Sequence, residues 1–470
     1  MSTIFALISS PHASSIAVIR ISGPKAFDCL KEFGVNKKII SRYCYFHQLK
    51  IKNSDEILDE ALVTFFQNPH SFTGEDVVEI SIHNSIFIIN QIFLTLANIP
   101  KVRLSEPGEF SKRAFLNGKI DLIQAEAIPD LIASETKSQH HQAMQQLQGN
   151  LGKIYDNWRQ QILEISAFNE ALIDFPEDDL PASIYQTIQE KIALIISEMQ
   201  NHLNDNKIGE KIKNGINLAI IGAPNVGKSS LINLLAKSEV AIVSEIAGTT
   251  RDVLEIHLDI AGIAVKIADT AGIRISDDVI EKEGIKRAIN KAQNADIILY
   301  VIDASNPVIN ADYINEKTLV VINKIDKNFD ENFLLNFLQN HNFSTKIAKI
   351  SIQNNTNINE LLELITTKVQ AMLPSSNNSV ITQERYRIAI NNILYELLAF
   401  NINNNIEISA ENLRICLNEF AKINGKFNID EMLDSIFSND ICKDKMKSFD
   451  FLNKNVPLYT DNIWFNFQKK

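Results

Sequence analysis

The apolar and polar positions of the 470-residue chain follow different patterns along its length. In the first hundred or so residues, short apolar runs such as 15–20 and 61–66 alternate with turns, which predicts strands of an α+β domain. Between 120 and 200 the apolar positions recur at helical spacing, as at Ile162 and Ile165, and 381–436 is helical again. The intervening segment alternates apolar strand-like runs with turn motifs.

These patterns predict a multidomain protein in which one domain is inserted into another. The expected parts are an N-terminal α+β domain over 1–119, an all-α helical domain built from the two flanks 120–210 and 374–470, and an inserted P-loop α/β domain over 211–373. An inserted domain has two connections to its host. Movement of the inserted domain is therefore transmitted through both.

A phosphate-binding loop begins the chemistry of the inserted segment. Residues 222–229 read Gly-Ala-Pro-Asn-Val-Gly-Lys-Ser, after the apolar run 216–221 and before a helical run. The glycines let successive backbone N–H groups face a β-phosphate, Lys228 reaches the β and γ oxygens, and Ser229 ligates Mg²⁺. This context predicts a nucleotide triphosphatase.

Two later motifs identify the nucleotide. Asp-Thr-Ala-Gly at 269–272 supplies a metal-side aspartate and a γ-phosphate-sensing turn, and Asn-Lys-Ile-Asp at 323–326 supplies a base reader. The Asp326 carboxylate can accept hydrogen bonds from guanine N1–H and the 2-amino group, whereas adenine offers neither donor. The sequence therefore favours GTP. A weaker fifth element, Ile-Ser-Ile at 350–352, occurs where a backbone N–H usually contacts guanine.

The segment 244–252 is expected to bring Thr250 to Mg²⁺ when GTP is bound, so Ser229 and Thr250 are the predicted magnesium ligands. The complete set of predicted GTP-binding residues is Asn225, Val226, Gly227, Lys228, Ser229, Ser230, Ser244, Glu245, Ile246, Ala247, Gly248, Thr249, Thr250, Asp269, Thr270, Ala271, Gly272, Asn323, Lys324 and Asp326.

Hydrolysis must be arranged differently from that of Ras-type GTPases. Those proteins place a water-orienting glutamine after the Asp-x-x-Gly turn, and this chain has the apolar Ile273. The Asn225 amide oxygen could coordinate a monovalent cation such as K⁺ in place of an arginine finger. The acidic run 276–281, which ends at Glu281, could bring a carboxylate to the attacking water. From residue type alone, an exposed helix start is the simpler explanation of this run.

Composition fits a cytoplasmic protein with reduced thiols. Hydrophobic residues make up 45% of the chain, and the net charge is −11. The four cysteines have no zinc or disulfide spacing, so we expect them to be reduced, partly buried thiols. The longest apolar stretch, 85–99, is interrupted and too short to span a bilayer, so no membrane is expected. The acidic balance argues against a broad non-specific grip on nucleic acid.

Ala-Gly-Thr-Thr-Arg-Asp at 247–252 resembles the translation-linked GTPases that include the Era, EngA and MnmE families. Further motifs outside the GTPase segment lie at 20–24, 71–79, 107–119, 121–128, 173–177 and 423–427. With these motifs the chain resembles the MnmE family, the tRNA uridine modification GTPases, over nearly its whole length to about Ser438.

The resemblance implies a specific activity. With an FAD-containing MnmG-type partner in a heterotetramer, the family adds a carboxymethylaminomethyl-type group to carbon 5 of the wobble uridine of certain tRNAs, and a tetrahydrofolate derivative donates one carbon. K⁺-dependent dimerisation stimulates GTP hydrolysis, so a homodimer is expected. FAD is expected in the partner only.

The resemblance also implies residue roles. Glu281 matches the catalytic water-positioning glutamate, and Asn225, Ser244, Ile246 and Thr249 match the K⁺ site. The folate-binding residues are Arg20, Glu79 and Lys119.

Two segments depart from the family pattern. The stretch 12–17 replaces a glycine-rich turn, and the tail 439–470 leaves Cys442 out of register with the family's reactive cysteine. A family member that hydrolyses GTP but modifies tRNA poorly is therefore one alternative.

Two further alternatives are an Era- or EngA-like ribosome-assembly GTPase and a regulatory dimer that uses folate only as a ligand. The former predicts a KH-type Gly-x-x-Gly loop or a second GTPase unit, but Gly425 is the only glycine after Leu373 and no second phosphate loop occurs.

Overall fold

The computed structural model describes residues 2–10, 14–36, 39–51, 56–174, 183–242, 256–267, 295–310, 313–327, 347–373, 380–401 and 406–425. The Cα positions form two compact units, Met1–Pro129 with Asn424–Lys470, and Asp130–Ile423. The finer three-domain limits stay a prediction.

The first unit contains a six-stranded sheet in the order β3-β4-β5-β2-β1-β6, in which only the β1–β6 pair is parallel. The strands are β1 (Thr3–Leu7), β2 (Ile16–Ser22), β3 (Cys44–Lys50), β4 (Ile57–Phe66), β5 (Val77–His83) and β6 (Val102–Leu104). The helices are α1 (Ala26–Cys29), which continues into a 3₁₀ turn (Leu30–Phe33), α2 (Ile86–Ala97) and α3 (Glu109–Leu116), while α4 (Leu122–Ile132) begins in this unit.

Alternation along the strands sorts the side chains of this sheet to two faces. Ile19 and Ile21 of β2 are fully buried against α2, together with Ile80 of β5. The intervening Arg20 therefore lies on the opposite face, where its register partner is Glu79. The predicted strands at 15–20 and 61–66 correspond to β2 and the end of β4.

The second unit contains a seven-stranded sheet in the order β13-β12-β11-β7-β10-β9-β8. The strands are β7 (Ile216–Ile221), β8 (Ala241–Ile242), β9 (Ile256–Ile260), β10 (Ile263–Ile267), β11 (Ile297–Asp303), β12 (Thr318–Asn323) and β13 (Ile347–Lys349). Strands β7 and β10 to β13 are parallel, and β9 runs antiparallel to β8 and β10. Nearly every residue of β11 and β12 is buried, as expected for inner strands covered on both faces.

The helices of the second unit include α9 (Lys228–Ala236) and α10 (Ile358–Met372), which pack on the sheet. The others are α5 (Lys137–Leu147), α6 (Asn150–Asp174), α7 (Ser183–Leu203), α8 (Ile208–Asn214), α11 (Glu384–Ala399) and α12 (Ile406–Asn424). The predicted helical segments on both sides of the α/β segment are thus present in the described residues. No helix among them is both long and apolar enough to cross a bilayer.

One arginine after the inserted segment binds the chain that leads into it. Arg387 of α11 donates to the Leu203 carbonyl at 3.0 Å, to Asp205 at 2.8 Å and to Glu210 at 3.0 Å. Its side chain is only 10% exposed. A buried arginine with two carboxylate partners therefore holds α11, which follows the insertion, against the segment that precedes it.

The cysteines only partly match expectation. Cys29 and Cys416 are buried, and burial raises the pKa of each thiol to about 12, so neither forms a thiolate at neutral pH. Cys44 is exposed on β3, so the expectation that it is partly buried is wrong. The alternation of β3, an edge strand, turns this residue to solvent. Cys442 lies outside the described residues.

Candidate functional site

The phosphate-binding loop connects β7, between β10 and β11 in the sheet, to the start of α9. A Cβ at Gly222 would lie 2.3 Å from the Val301 carbonyl oxygen, and one at Gly227 would lie 2.4 Å from Asn323 Nδ2. Gly227 also has a φ of +103°. Both glycines are therefore required by the fold as well as by close approach of a phosphate.

The loop presents the predicted phosphate ligands at the N-terminus of a helix. The Lys228 ammonium donates to the carbonyls of Gly222 at 2.9 Å and Ala223 at 2.6 Å, which holds it across the loop. Ser229 and Ser230 are exposed in the first turn of α9. The positive end of the helix dipole and the lysine together favour an anion at this position.

Asn323 connects three parts of the site. Its side-chain amide donates to the Val226 carbonyl at 2.8 Å, and its Oδ1 accepts the Ile352 N–H at 3.3 Å. Asn323 is the last residue of β12 and is buried. It therefore fixes the phosphate loop against the 350–352 turn, which the sequence predicts as a weaker guanine-contacting element.

Lys324 lies over the same loop in a left-handed conformation, with a φ of +65°. Its ammonium donates to the Asn225 carbonyl at 2.8 Å and to Asp303 at 2.6 Å. Burial alone would raise the pKa of Asp303, but hydrogen bonds from Lys324 and Ser305 and the Lys324 charge together lower it below the usual value. Sequence reasoning missed Asp303, although an acidic residue directly after an apolar strand was a signal that could have found it.

The carboxylate of Asp326, the predicted base reader, is held by a neighbouring hydroxyl. Ser351, which is 1% exposed, donates to Asp326 Oδ1 at 2.5 Å. The Ile350 N–H donates to the Ile322 carbonyl at 2.8 Å, which fixes the serine relative to the sheet. Asp326 is therefore oriented before any nucleotide arrives, as a selective base reader requires.

The structure thus brings Asn225, Val226, Gly227, Lys228, Asn323 and Lys324 into one connected site, with Asp326 beside the 350–352 turn. Ser229 and Ser230 lie next to this site in the first turn of α9, and the remaining predicted nucleotide, K⁺ and catalytic residues lie outside the described residues. They are Ser244, Glu245, Ile246, Ala247, Gly248, Thr249, Thr250, Asp269, Thr270, Ala271, Gly272 and Glu281.

A second candidate site lies on the open face of the first unit's sheet. Arg20 and Glu79 form a cross-strand ion pair at 2.7 Å, with side chains 20% and 27% exposed. The Arg20 guanidinium carbon lies 5.1 Å from the ring centre of Phe72 and 5.6 Å from that of Phe110. The result is a charged pair flanked by two aromatic rings.

Lys119 contacts the loop that carries Phe72. Its ammonium donates to the Pro69 carbonyl at 3.0 Å, and the nearby Asn117 side chain donates to the Thr73 carbonyl at 2.7 Å. Lys119 is exposed. The three predicted folate residues are therefore arranged around one loop, from Pro69 to Asp76.

A buried network next to this loop was not predicted. Arg113 makes hydrogen bonds to both oxygens of Glu75, at 3.1 and 2.9 Å, and contacts Glu109 at 2.9 Å. Glu75 also accepts the Ser22 hydroxyl at 2.7 Å. Burial would raise the pKa of Glu109, but hydrogen bonds from Arg103, the Glu106 N–H and Arg113 together lower it. Both glutamates occur in motifs used for the resemblance, but their pairing needed the tertiary structure.

Family models match most of the chain. The model described as the GTP-binding protein TrmE N-terminus matches residues 3–119. The model of the MnmE helical domain matches residues 122–439, which is more than half of the chain.

Curated relatives match over nearly their whole length. A tRNA modification GTPase MnmE of Rickettsia typhi is 43% identical over 447 residues, which are 93% of this chain and 99% of the relative. The MnmE of Rickettsia canadensis is 44% identical over 445 residues, with the same coverage of 93% and 99%.

The chain is also similar to part of a solved structure. The G domain of the T. maritima FeoB iron transporter is 23% identical, with a TM-score of 0.24, and the match covers 33% of this chain and 99% of that structure.

Proposed function

The chain belongs to the MnmE family of tRNA modification GTPases, and from this premise we propose that it couples GTP hydrolysis to modification of the wobble uridine of certain tRNAs at carbon 5. The observation that carries the proposal is the connected site in which Asn323 joins the phosphate loop to the turn holding Asp326. This arrangement supports recognition of both the phosphates and the guanine of one GTP molecule.

The chain's residues suit GTP and its magnesium ion. Lys228 can transfer its hydrogen bonds from two loop carbonyls to phosphate oxygens, which are stronger acceptors. Ser229 offers a hard hydroxyl oxygen beside the phosphates, and we assign it with Thr250 to Mg²⁺. The bound ion would neutralise charge on the phosphates. Asp326, held by Ser351, would accept the two guanine donors.

We assign a K⁺ site to Asn225 together with Ser244, Ile246 and Thr249. Asn225 is exposed at the front of the phosphate loop, where its φ is +59° and Lys324 binds its carbonyl. Amide and carbonyl oxygens are suitable ligands for an alkali cation. A bound K⁺ would supply positive charge beside the phosphates, and Glu281 would orient the attacking water.

We assign the tetrahydrofolate derivative to the open face at Arg20, Glu79 and Lys119. The basic groups suit the carboxylates of the folate tail, and the Glu79 carboxylate suits the paired N–H donors of the pterin ring. Phe72 and Phe110 add flat apolar walls beside Arg20. The donor set and the rings together fit a folate.

The proposed assembly is a cytoplasmic homodimer that binds tRNA and joins an MnmG-type partner in a heterotetramer, with FAD in that partner only. One observation supports dimerisation through the first unit. The cross-strand pair Phe46 and Leu62 at the β3–β4 edge is 62% and 47% exposed, beside Tyr43 at 63%. Such an apolar patch is typical of a protein interface.

The cation dependence of hydrolysis tests this proposal. Steady-state GTP hydrolysis would be measured in KCl and in NaCl at equal ionic strength, for the wild type, Asn225→Ala and Glu281→Ala. We expect stimulation by K⁺ in the wild type, loss of that stimulation in Asn225→Ala, and a low rate in both salts for Glu281→Ala. Equal wild-type rates in KCl and NaCl would remove the K⁺ assignment.

A further inference from the structure

The N-terminus of α5 contacts the β9–β10 hairpin of the GTPase sheet. The Ser138 N–H donates to the Gly262 carbonyl at 2.9 Å, at the tip of the hairpin. The Glu135 carboxylate lies 2.6 Å from His257 Nδ1, and these side chains are 24% and 22% exposed. The helical segment before the insertion therefore binds the hairpin at two positions, its tip and its first strand.

The hairpin is closed tightly along its whole length. Ala261 and Gly262 both have positive φ, +55° and +84°, which is the conformation of a tight two-residue turn. Asp259 accepts the Gly262 N–H at 2.6 Å and closes the turn. All five residues of β9 pair with β10. A displacement at the tip is therefore passed along both strands.

Helix α5 is itself fixed to both connections of the GTPase segment. Three glutamines along one side of the helix make these bonds, because residues at i, i+3 and i+7 share a face. Gln139 donates to the Lys213 carbonyl at 3.1 Å, Gln142 donates to the Gly209 carbonyl at 2.9 Å, and Gln146 donates to the Thr382 hydroxyl. Gly209 precedes the predicted insertion, Lys213 lies at its start, and Thr382 follows it.

Gln139 also fixes the residue that binds the hairpin. Its Oε1 accepts the backbone N–H of Glu135 at 3.0 Å and of Thr136 at 3.2 Å. The backbone of Glu135 is therefore held by the same side chain that binds the first connection. Glu135 is placed against His257 by α5, not by the GTPase sheet.

The two hairpin strands lead directly to predicted catalytic segments. Strand β9 begins six residues after Thr250, and β10 ends two residues before Asp269. The position of the hairpin therefore sets where the segment containing Thr250 ends and where the segment containing Asp269 begins. Coupling between two sites is reciprocal, so a nucleotide that displaces these segments must also change the contact between the hairpin and α5.

We propose that Glu135 is a positioning residue for GTP hydrolysis, which holds the β9–β10 hairpin through His257 and couples the nucleotide site to helix α5. This inference rests on GTP hydrolysis by the chain. It adds a residue from outside the GTPase segment to the determinants of the rate.

Steady-state GTP hydrolysis in KCl by the full chain tests the proposal. The variants are Glu135→Ala, His257→Ala, both together, and the exchanged pair Glu135→His with His257→Glu. The matched control is Glu164→Ala, which removes another partly exposed ion pair, between α6 and α7, at 3.2 Å from Lys191. Thermal unfolding of each variant is measured in parallel.

We expect each single alanine variant to lower kcat by about twofold to fivefold, since a partly exposed pair can shift an equilibrium by no more than its own interaction free energy. The double alanine variant should be no slower than the single variants, the exchanged pair should recover most of the rate, and Glu164→Ala should match the wild type. KM should change less than kcat, because neither side chain is a predicted nucleotide ligand.

Wild-type kcat in Glu135→Ala would overturn the inference, and so would additive losses in the double variant. If the alanine variants unfold, Glu135→Gln decides, because its amide keeps the size of the side chain and removes only the charge. The inference would also be refuted if Glu135→Gln had the wild-type kcat and the exchanged pair had a kcat as low as that of His257→Ala. Absence of hydrolysis by the wild type would instead contradict the proposed function.

Discussion

Replacing Asp326 by asparagine should change the nucleotide that the chain prefers. The carboxylate would accept two hydrogen bonds from guanine, and a hydrogen bond to a charged group contributes about 1.5–3 kcal/mol. Asparagine removes the charge from one of these bonds and replaces the other acceptor by an NH₂ donor that opposes the guanine 2-amino group, which together correspond to a fall in GTP affinity of about 10²- to 10⁴-fold. The structure favours the upper part of this range, because the Ser351 hydroxyl, at 2.5 Å, would hold the asparagine oxygen and turn the NH₂ group toward the base.

Xanthine provides the complementary test, because it carries an oxygen acceptor where guanine has the 2-amino group. The Asp326→Asn variant should therefore hydrolyse xanthosine triphosphate with a higher kcat/KM than GTP, and the wild type should do the opposite. Ser351→Ala is the graded control. It removes one neutral donor to the carboxylate, so GTP affinity should fall by about fivefold to tenfold without a change in preference. A variant that keeps the wild-type preference for GTP would refute the assignment of Asp326 as base reader.

Two further predictions concern stability. Arg387→Gln should lower the free energy of unfolding by about 3–5 kcal/mol, because it leaves Asp205 and Glu210 without their buried partner. Arg414→Gln, whose side chain is 65% exposed, should change the free energy of unfolding far less. Urea denaturation checks both, and equal losses would contradict the role of Arg387. Asp303→Asn should lower the free energy of unfolding by about 1–3 kcal/mol at neutral pH. The folded state lowers the pKa of Asp303, so this carboxyl contributes stability only while it is ionised. The difference in stability between the variant and the wild type should therefore disappear as the pH falls below about 4. A difference that persists in acid would show that the Lys324 ion pair is not its cause.

Sequence patterns predicted the parts of the site that are local in the chain. Gly222, Gly227 and Lys228 occur in one short motif between a strand and a helix, and the spacing alone implies their geometry. Asn323 was predicted from its motif, but its bonds to Val226 and Ile352 depend on the order of strands in the sheet. Adjacent placement of β12, β11 and β7 brings these distant residues together.

Contacts between distant segments could not be predicted in this way. Glu135 and His257 are 122 residues apart, and each alone reads as an ordinary surface charge or ring. Arg20 and Glu79 were predicted separately as folate residues, and only the antiparallel register of β2 and β5 shows that they pair with each other. Asp303 was missed because its role depends on Lys324, which comes from the neighbouring strand end.

Restoration of tRNA modification in a bacterial strain that lacks its own family member tests the central claim most directly. Nucleoside analysis by mass spectrometry would measure the carbon-5 group on wobble uridine, with the full chain, the Lys228→Ala variant and an empty vector compared at equal expression. The account predicts that the full chain restores the modified nucleoside and that Lys228→Ala does not. Absence of the modified nucleoside with a full chain that is expressed and hydrolyses GTP would contradict it.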